Sequence, residues 1–405
     1  MCVHSLTHTT HINMKYYTQC YYSAGASSKS IDFDRFHTQC TPVDHNMLLP
    51  TQFYYSTQNM QICVESITLP TIFDDIPNEI NFKMKGVGRG RTKNGVKKTW
   101  RKKFYFEKDL LTLRLNNLGA KEFKNAFGGT SADDVKAFWQ AIRRECIRPK
   151  ETEIHARNKL LLWLDKLHNS LSWKSIKKEY KIGSSTAVGY MQDVMNGIIN
   201  AFKNTNIITF PTETQRLKMV EMLKKKGAQM PHVLFTLDGK HSLCTGRNRR
   251  ERRSIKYRWL PCFNVMFVVE RLFGTVCAFN LDAAAIKHDI TVLRESTFFQ
   301  NIDEIMDGWI VIADKGYVGT KNHQIAAAMK RPDARRKWYS KRFWKLFNGA
   351  RGDSERVFAH FFYNKFTQLS HWPGKGDDAF IRWSKNVACC IMMYNFVKLR
   401  NADLL

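Results

Sequence analysis

Two apolar segments of the chain each lead into an aspartate. "VLFTLDG" (Val233–Gly239) carries Asp238 and "WIVIADKGY" (Trp309–Tyr317) carries Asp314, each followed by glycine within two residues. A third carboxylate, Glu355, stands 41 residues beyond the second, in "RGDSERVFAHFF" (Arg351–Phe362). Each aspartate alone has an ordinary reading, because a strand-terminal Asp often hydrogen-bonds its own turn. As a set they suggest more. In an open α/β sheet, groups at the carboxyl ends of strands converge on one crevice. Two carboxylates 4 Å apart there repel by on the order of 4 kcal/mol at an effective dielectric of 20, and a cation between them removes that cost. Oxygen donors, with no His–Cys set at zinc spacing nearby, select Mg²⁺ or Mn²⁺. Two such ions, roughly 3.5–4 Å apart, activate a water or a 3′-hydroxyl and stabilise the oxygen leaving a phosphodiester.

The elements that must position these acids follow from periodicity. Val233–Gly239 reads as a buried strand ending at Asp238, and Trp309–Tyr317 as a second ending at Asp314. "PCFNVMFVVE" and "LFGTVCAFNLDA" read as a hairpin joined by "ERLFG". His288–Gln300 is expected as one helix packed on these strands, with His288 and Asp289 read as starting and capping it ahead of the alternative that they bind metal, since an acid there needs no further cause. Strands and helices in this order predict a mixed α/β domain with helices on the sheet faces. Around Glu355, Val357, Phe358, Phe361 and Phe362 make a helical apolar face, and Asp353 sits where an N-cap belongs. The tripeptide Arg351-Gly352-Asp353 matches adhesion ligands, which act outside cells. The ten cysteines show no CxxC pair and the first residues lack the layout of a secretory signal, so reduced thiols in cytosol or nucleus are expected instead.

Upstream, helices are predicted over Ala132–Arg148 and Ala156–His168. Ser172–Phe202 then reads as a short helix capped by Ser172, a turn at Gly183, and a longer helix capped by Ser184 or Ser185. That is the helix-turn-helix layout, with Thr186, Tyr190 and Gln192 near the end that enters a major groove; a plain αα-hairpin has the same pattern. The segment "ETQRLKMVEMLKKKG" (Glu213–Gly227) reads as a linker helix.

Charge names the class of partner. The 405 residues carry 64 Lys+Arg against 36 Asp+Glu, a net of +28. Residues 1–80 contribute −4, so residues 81–405 carry +32, which fits a polyanion, nucleic acid before an anionic membrane surface. No apolar run approaches the roughly 20 residues of a membrane span. Lys83–Lys103 holds ten basic side chains and no acid, Arg89, Arg91, Lys97, Lys98 and Arg101 among them. It reads as a solvated linker, a nuclear-import signal or a flexible arm on DNA. Its centre, "GRGR" (Gly88–Arg91), is similar to arginine hooks of a narrow minor groove. Lys330–Lys345 carries eight Lys/Arg, including Arg335, Arg336, Lys337, Lys341 and Arg342, with interleaved aromatics. It reads as a phosphate-tracking, base-stacking surface or as a basic helix with Trp338 and Phe343 in the core.

Four blocks, "LDGKH" (Leu237–His241), "KHDITVLRES" (Lys287–Ser296), "ADKGY" (Ala313–Tyr317) and "SERVFAHF" (Ser354–Phe361), resemble in order the catalytic blocks of Harbinger-type DDE transposases and their nuclease relatives. The resemblance spans about Lys159 to Asn401. It implies an RNase H-like fold, a two-metal site, and cutting or joining of double-stranded DNA at transposon ends or related sequences. Asp238, Asp314 and Glu355 take the places of first, second and third acid. The family also implies a separate Myb-like DNA-binding partner, and self-association is common among such enzymes. His241, His288, Lys315 and Tyr317 are candidate supporting residues, His241 being equally readable as a loop histidine bonded to backbone.

The expected organisation is an N-terminal region of unassigned role (1–80), a basic arm (81–105) and a helical region (106–205) with the helix-turn-helix at 172–202. A linker helix (206–230) and an α/β, RNase H-like catalytic domain (231–401) follow. The expected activity is a nuclear, metal-dependent DNA endonuclease or transposase. The alternatives are a catalytically silent DNA-binding descendant and an RNase H-like nuclease acting in repair or on RNA.

Overall fold

The computed structural model describes residues 106, 108–127, 129–169, 171–243, 253–254, 260–284, 287–328, 338–363 and 377–405, all within one compact unit, Ile72–Leu405. Residues 1–105, with Arg89, Arg91, Lys97, Lys98 and Arg101, and the stretch holding Arg335, Arg336 and Lys337 lie outside the described residues.

Among the described residues, seven helices precede the sheet: α1 (Leu110–Asn117), α2 (Ala120–Ala126), α3 (Ala132–Cys146), α4 (Glu153–His168), α5 (Trp173–Tyr180), α6 (Ser184–Phe202) and α7 (Glu213–Lys225). Their starts are written in side-chain caps. Ser131 and Asp134 form a capping box before α3, Thr152 caps α4, Ser172 caps α5, and Thr212 with Gln215 boxes α7. On α3, Val135, Phe138, Trp139 and Ile142 recur at helical spacing and are all buried. Leu160 to Leu164 of α4 is apolar all round and wholly buried, as befits a central helix. The turn between α5 and α6 differs in detail from expectation. Lys181, not Gly183, adopts the left-handed conformation (φ 54°), and Gly183 itself is the extended N-cap of α6, ahead of both Ser184 and Ser185.

The sheet comprises β1 (Phe235–Leu243), β3 (Leu260–Glu270), β4 (Val276–Ala284), β5 (Val311–Ala313) and β6 (Ile325–Ala327), with the two-residue β2 (Arg253–Ser254) paired to the start of β3. Spatial order is β4-β3-β1-β5-β6. The β3–β4 hairpin and β1 run antiparallel, while β5 and β6 run parallel to β1. One face buries Phe235, Leu237, Met266, Val268, Val311 and Ala313 against α7 and the short helices α8 (Asp289–Arg294), α9 (Thr297–Gln300) and α10 (Ile302–Met306). The other buries Val265, Phe267 and Val269 against α11 (Trp338–Tyr363) and α12 (Asp377–Arg400). The mixed sheet with flanking helices is the α/β architecture the sequence predicts.

Helix α12 joins that second face to the upstream helices. Trp163 Nε1 of α4 donates to Asn386 Oδ1 at 3.0 Å, and Asn395 bonds both Ile207 and Val276. Residues from α3, α4 and α6 therefore share one continuous core with β3, β4 and α12. Among the described residues, no helix is long and apolar enough to cross a membrane.

Four boundaries correct the expectations. β1 does not end at Asp238, because its antiparallel ladder with β3 continues to Leu243↔Cys262. The second strand is only Val311–Ala313. His288–Gln300 is two helices, divided where the Ser296 hydroxyl accepts from Phe299 N. Finally, α11 runs unbroken through Gly349 and Gly352, so Asp353 is no N-cap. Phe343, Phe347, Ala350, Ser354, Val357 and Phe358 keep one inward stripe across those glycines.

Candidate functional site

Strand register brings the two aspartates together. β1 and β5 pair in parallel as Phe235↔Val311, Thr236↔Ile312 and Leu237↔Ala313. Asp238 follows Leu237 on β1 and Asp314 follows the last residue of β5, so the register brings the two aspartates near one another at neighbouring positions of the sheet. Alternation along β1 turns Asp238 away from the face of Leu237 and toward α11. There the β3 partner of Asp238, Phe267, stacks on Phe358 of α11 with ring centroids 4.8 Å apart.

Helix α11 supplies the third acid and a cation. Arg351 Nη2 donates to Glu355 Oε1 at 2.7 Å, one turn along the helix, while Arg351 Nη1 lies 3.8 Å from Asp238 Oδ2. Glu355 is 57% exposed and Asp238 18%. Asp314 heads the 3₁₀ turn Lys315–Tyr317 and accepts from Gly316 N. Burial pushes the Asp238 carboxyl up to about 6; the Gly239 N–H and Arg351 pull it down, and the charges of Asp314 and Glu355 push it further up. Tyr317, buried beneath the acids, has its phenol held well above the usual range by burial first, then by Asp289, Asp238 and Asp314.

Of the candidate supporting residues, Tyr317 belongs to this cluster and Lys315 is exposed beside it. His241 lies three residues along β1, half-buried opposite Asn264. His288 is exposed and serves as the α8 N-cap residue without a side-chain cap bond. Arg351 is the site residue that sequence reading passed over, although its position four before Glu355 on a helix was a signal. Asn264, a buried amide inside the apolar run "FNVMFVV", was another.

Among the described residues, no three His, Cys, Asp or Glu side chains converge closely enough to hold an ion as they stand. Arg351 sits between Asp238 and Glu355 and acts as the counter-cation there. The donor chemistry nevertheless suits a hard divalent ion: the charges of Asp314 and Glu355 both act on Asp238, which is raised by burial first.

The expected DNA-contacting residues divide. Thr186 is exposed in the first turn of α6, beside exposed Lys174, Lys177, Lys178 and Lys181. Tyr190 instead turns inward, its ring 6.0 Å from Phe106 and 5.0 Å from His155, with the Lys159 ammonium over it at 5.8 Å. Lys341 and Arg342 are exposed near the start of α11. The aromatics beside them pack inward, Phe343 and Trp344 against a small core of Val233, Ile312 and Phe347.

Compared with known proteins, the chain matches no family model, no curated protein and no solved structure.

Proposed function

We propose that this chain is a divalent-cation-dependent enzyme that cuts, and in its full reaction joins, DNA strands, working in the nucleus on duplex ends. The observation that carries the reading is the parallel β1–β5 register, which brings Asp238 near Asp314, with Glu355 of α11 joined to Asp238 through Arg351. The order β4-β3-β1-β5-β6, antiparallel through the hairpin and parallel beyond β1, supports the RNase H-like arrangement that the sequence resemblance implies. Asp238, Asp314 and Glu355 would hold Mg²⁺ or Mn²⁺, two ions in all, which supply an activated water or 3′-hydroxyl and stabilise the leaving oxygen. Arg351 balances the acids while they are empty of metal. The lysines around the start of α6, with Thr186, would lie on the duplex, and Lys341 and Arg342 would follow its phosphates, so that binding weakens as salt rises. A separate Myb-like partner and self-association belong to the same reading.

The test is nicking of a supercoiled plasmid. Wild type should nick with Mg²⁺ or Mn²⁺ and not in EDTA, and Asp238→Ala should abolish nicking while duplex affinity stays unchanged. Undiminished cutting by Asp238→Ala would overturn the three-acid reading. One observation favours a second reading, a catalytically silent DNA-binding protein: Arg351 already neutralises Asp238 and Glu355. Duplex binding by wild type, with no cutting under any divalent ion, would establish that reading instead.

A further inference from the structure

The backbone after each aspartate is shaped around one further side chain, Asp289. A Cβ on Gly316 would stand 2.7 Å from Asp289 Oδ2 and 3.0 Å from Asp314 Oδ1. A Cβ on Gly239 would stand 3.0 Å from Tyr317 Oη, 3.3 Å from Asp289 Oδ1 and 3.4 Å from Asn264 Oδ1. Neither glycine has a positive φ, so it is space, not backbone conformation, that calls for glycine at both positions.

Asn264 supplies a second, independent sign. It is 1% exposed, and its Nδ2 donates to Asp289 Oδ1 at 3.0 Å, which ties α8 to β3. Its own Oδ1 is buried without a hydrogen-bond partner. An unpaired buried acceptor is costly and rare in a folded chain. This one faces the same small space as Asp289 Oδ1 and Tyr317 Oη. A carboxylate, an amide oxygen and a hydroxyl are donors of the kind a hard cation takes, with water completing the shell. Across Gly316, the other oxygen of Asp289 faces Asp314.

An acid in the first turn of a helix would ordinarily need no ligand to explain it. Here, however, the bond made to Asp289 comes from Asn264 on β3. We infer that Asp289 is a fourth carboxylate of the site, sharing a hard divalent cation with Asp314, and that Asn264 and Tyr317 complete its oxygen surroundings. The inference rests on the metal-dependent reading above and extends it to the α8 face of the sheet.

Mn²⁺ binding to the full chain without DNA, followed by the free-ion signal in electron paramagnetic resonance, tests this. Asp289→Asn keeps the shape and can still accept from Asn264. It should weaken Mn²⁺ binding by about tenfold or more, with thermal midpoint and duplex binding in EDTA unchanged. Gly316→Ala leaves every ligand in place and removes only the space between Asp289 and Asp314; it should weaken Mn²⁺ similarly, and it decides the matter should Asp289→Asn melt early. Asp314→Asn separates the two claims. If Asp314→Asn loses the ion while Asp289→Asn and Gly316→Ala keep it, the three-acid reading stands and the fourth ligand is overturned. If wild type takes up no Mn²⁺, both are overturned.

Discussion

Two acids sit at different points along the sheet, Glu270 fully buried and Asp238 partly so, and burial raises both, yet their surroundings differ in kind. Glu270, at the end of β3, is pushed up to about 7, and its oxygens accept from Leu272 N, Phe273 N and Thr275 Oγ1 in the tight turn to β4. Its neighbour Arg271 gives Nε to Asp353 at 2.8 Å and its remaining nitrogens to the carbonyls of Met230, Val233 and Gln229. Every partner is short-range, fixed and mostly backbone. Asp238 has the Gly239 N–H, a guanidinium at 3.8 Å and two like charges nearby. The first arrangement spends charge on holding the hairpin, α7's exit and α11 together. The second leaves charge incompletely met, which suits a site that takes a ligand.

The largest effect should come from breaking the satisfied end. Arg271→Met leaves three carbonyls without their donor and Asp353 with only the exposed Arg356, and removing one partner of a buried pair costs about 3–5 kcal/mol. Urea denaturation should show a loss of that size. A loss under about 1 kcal/mol, the scale of an exposed pair, would mean that the network contributes little and that the contrast is not one of structure against function.

Breaking the unsatisfied end should work in the opposite direction. For Asp238, a folded-state value of about 6 against 3.8 for the free side chain means that the folded chain holds the proton more tightly than the unfolded one. Its contribution is therefore most favourable below pH 4 and is lost as pH rises through 6, a change of about 3 kcal/mol at most. Asp238→Asn removes this penalty. In EDTA at pH 8 the variant should be more stable than wild type by up to that amount, and at pH 3.5 the two should coincide. Equal stability at pH 8 would show that Arg351 already compensates the charge in full.

The sequence carried the parts of this contrast unequally. The hairpin, the capped helices α3, α5 and α7, and the pairing of each aspartate with an apolar strand were legible because they depend on neighbours within a few residues: Ser131 with Asp134, Ser172 with Ser175, alternation along β3. Contacts between distant segments were not. Arg351 meets Asp238 across 113 positions, and only the fold makes them neighbours. Asp353 read as the N-cap of a helix, whereas the stripe from Phe347 to Phe358 carries α11 across Gly352. Asp289 read as a helix-start acid ahead of a metal ligand, and the missing Cβ atoms at Gly239 and Gly316 and the bond from Asn264 reveal what it faces.

The smallest stability effect should belong to Glu355, and it sharpens the comparison most. Its pair with Arg351 resembles the Arg271–Asp353 pair on paper, at 2.7 Å against 2.8 Å. The two differ in exposure: Glu355 is 57% exposed, Asp353 14%. Water screens the first pair, and an exposed i,i+4 contact on a helix contributes a few tenths of a kcal/mol. Glu355→Gln should therefore leave the urea midpoint unchanged, within about 0.5 kcal/mol, while removing metal-dependent nicking as completely as Asp238→Ala. A loss of stability above about 1.5 kcal/mol would place the Arg351–Glu355 pair among the supports of α11, together with Arg271–Asp353. Glu355 would then be a brace of the helix, and the third acid would have to be sought elsewhere on the same face.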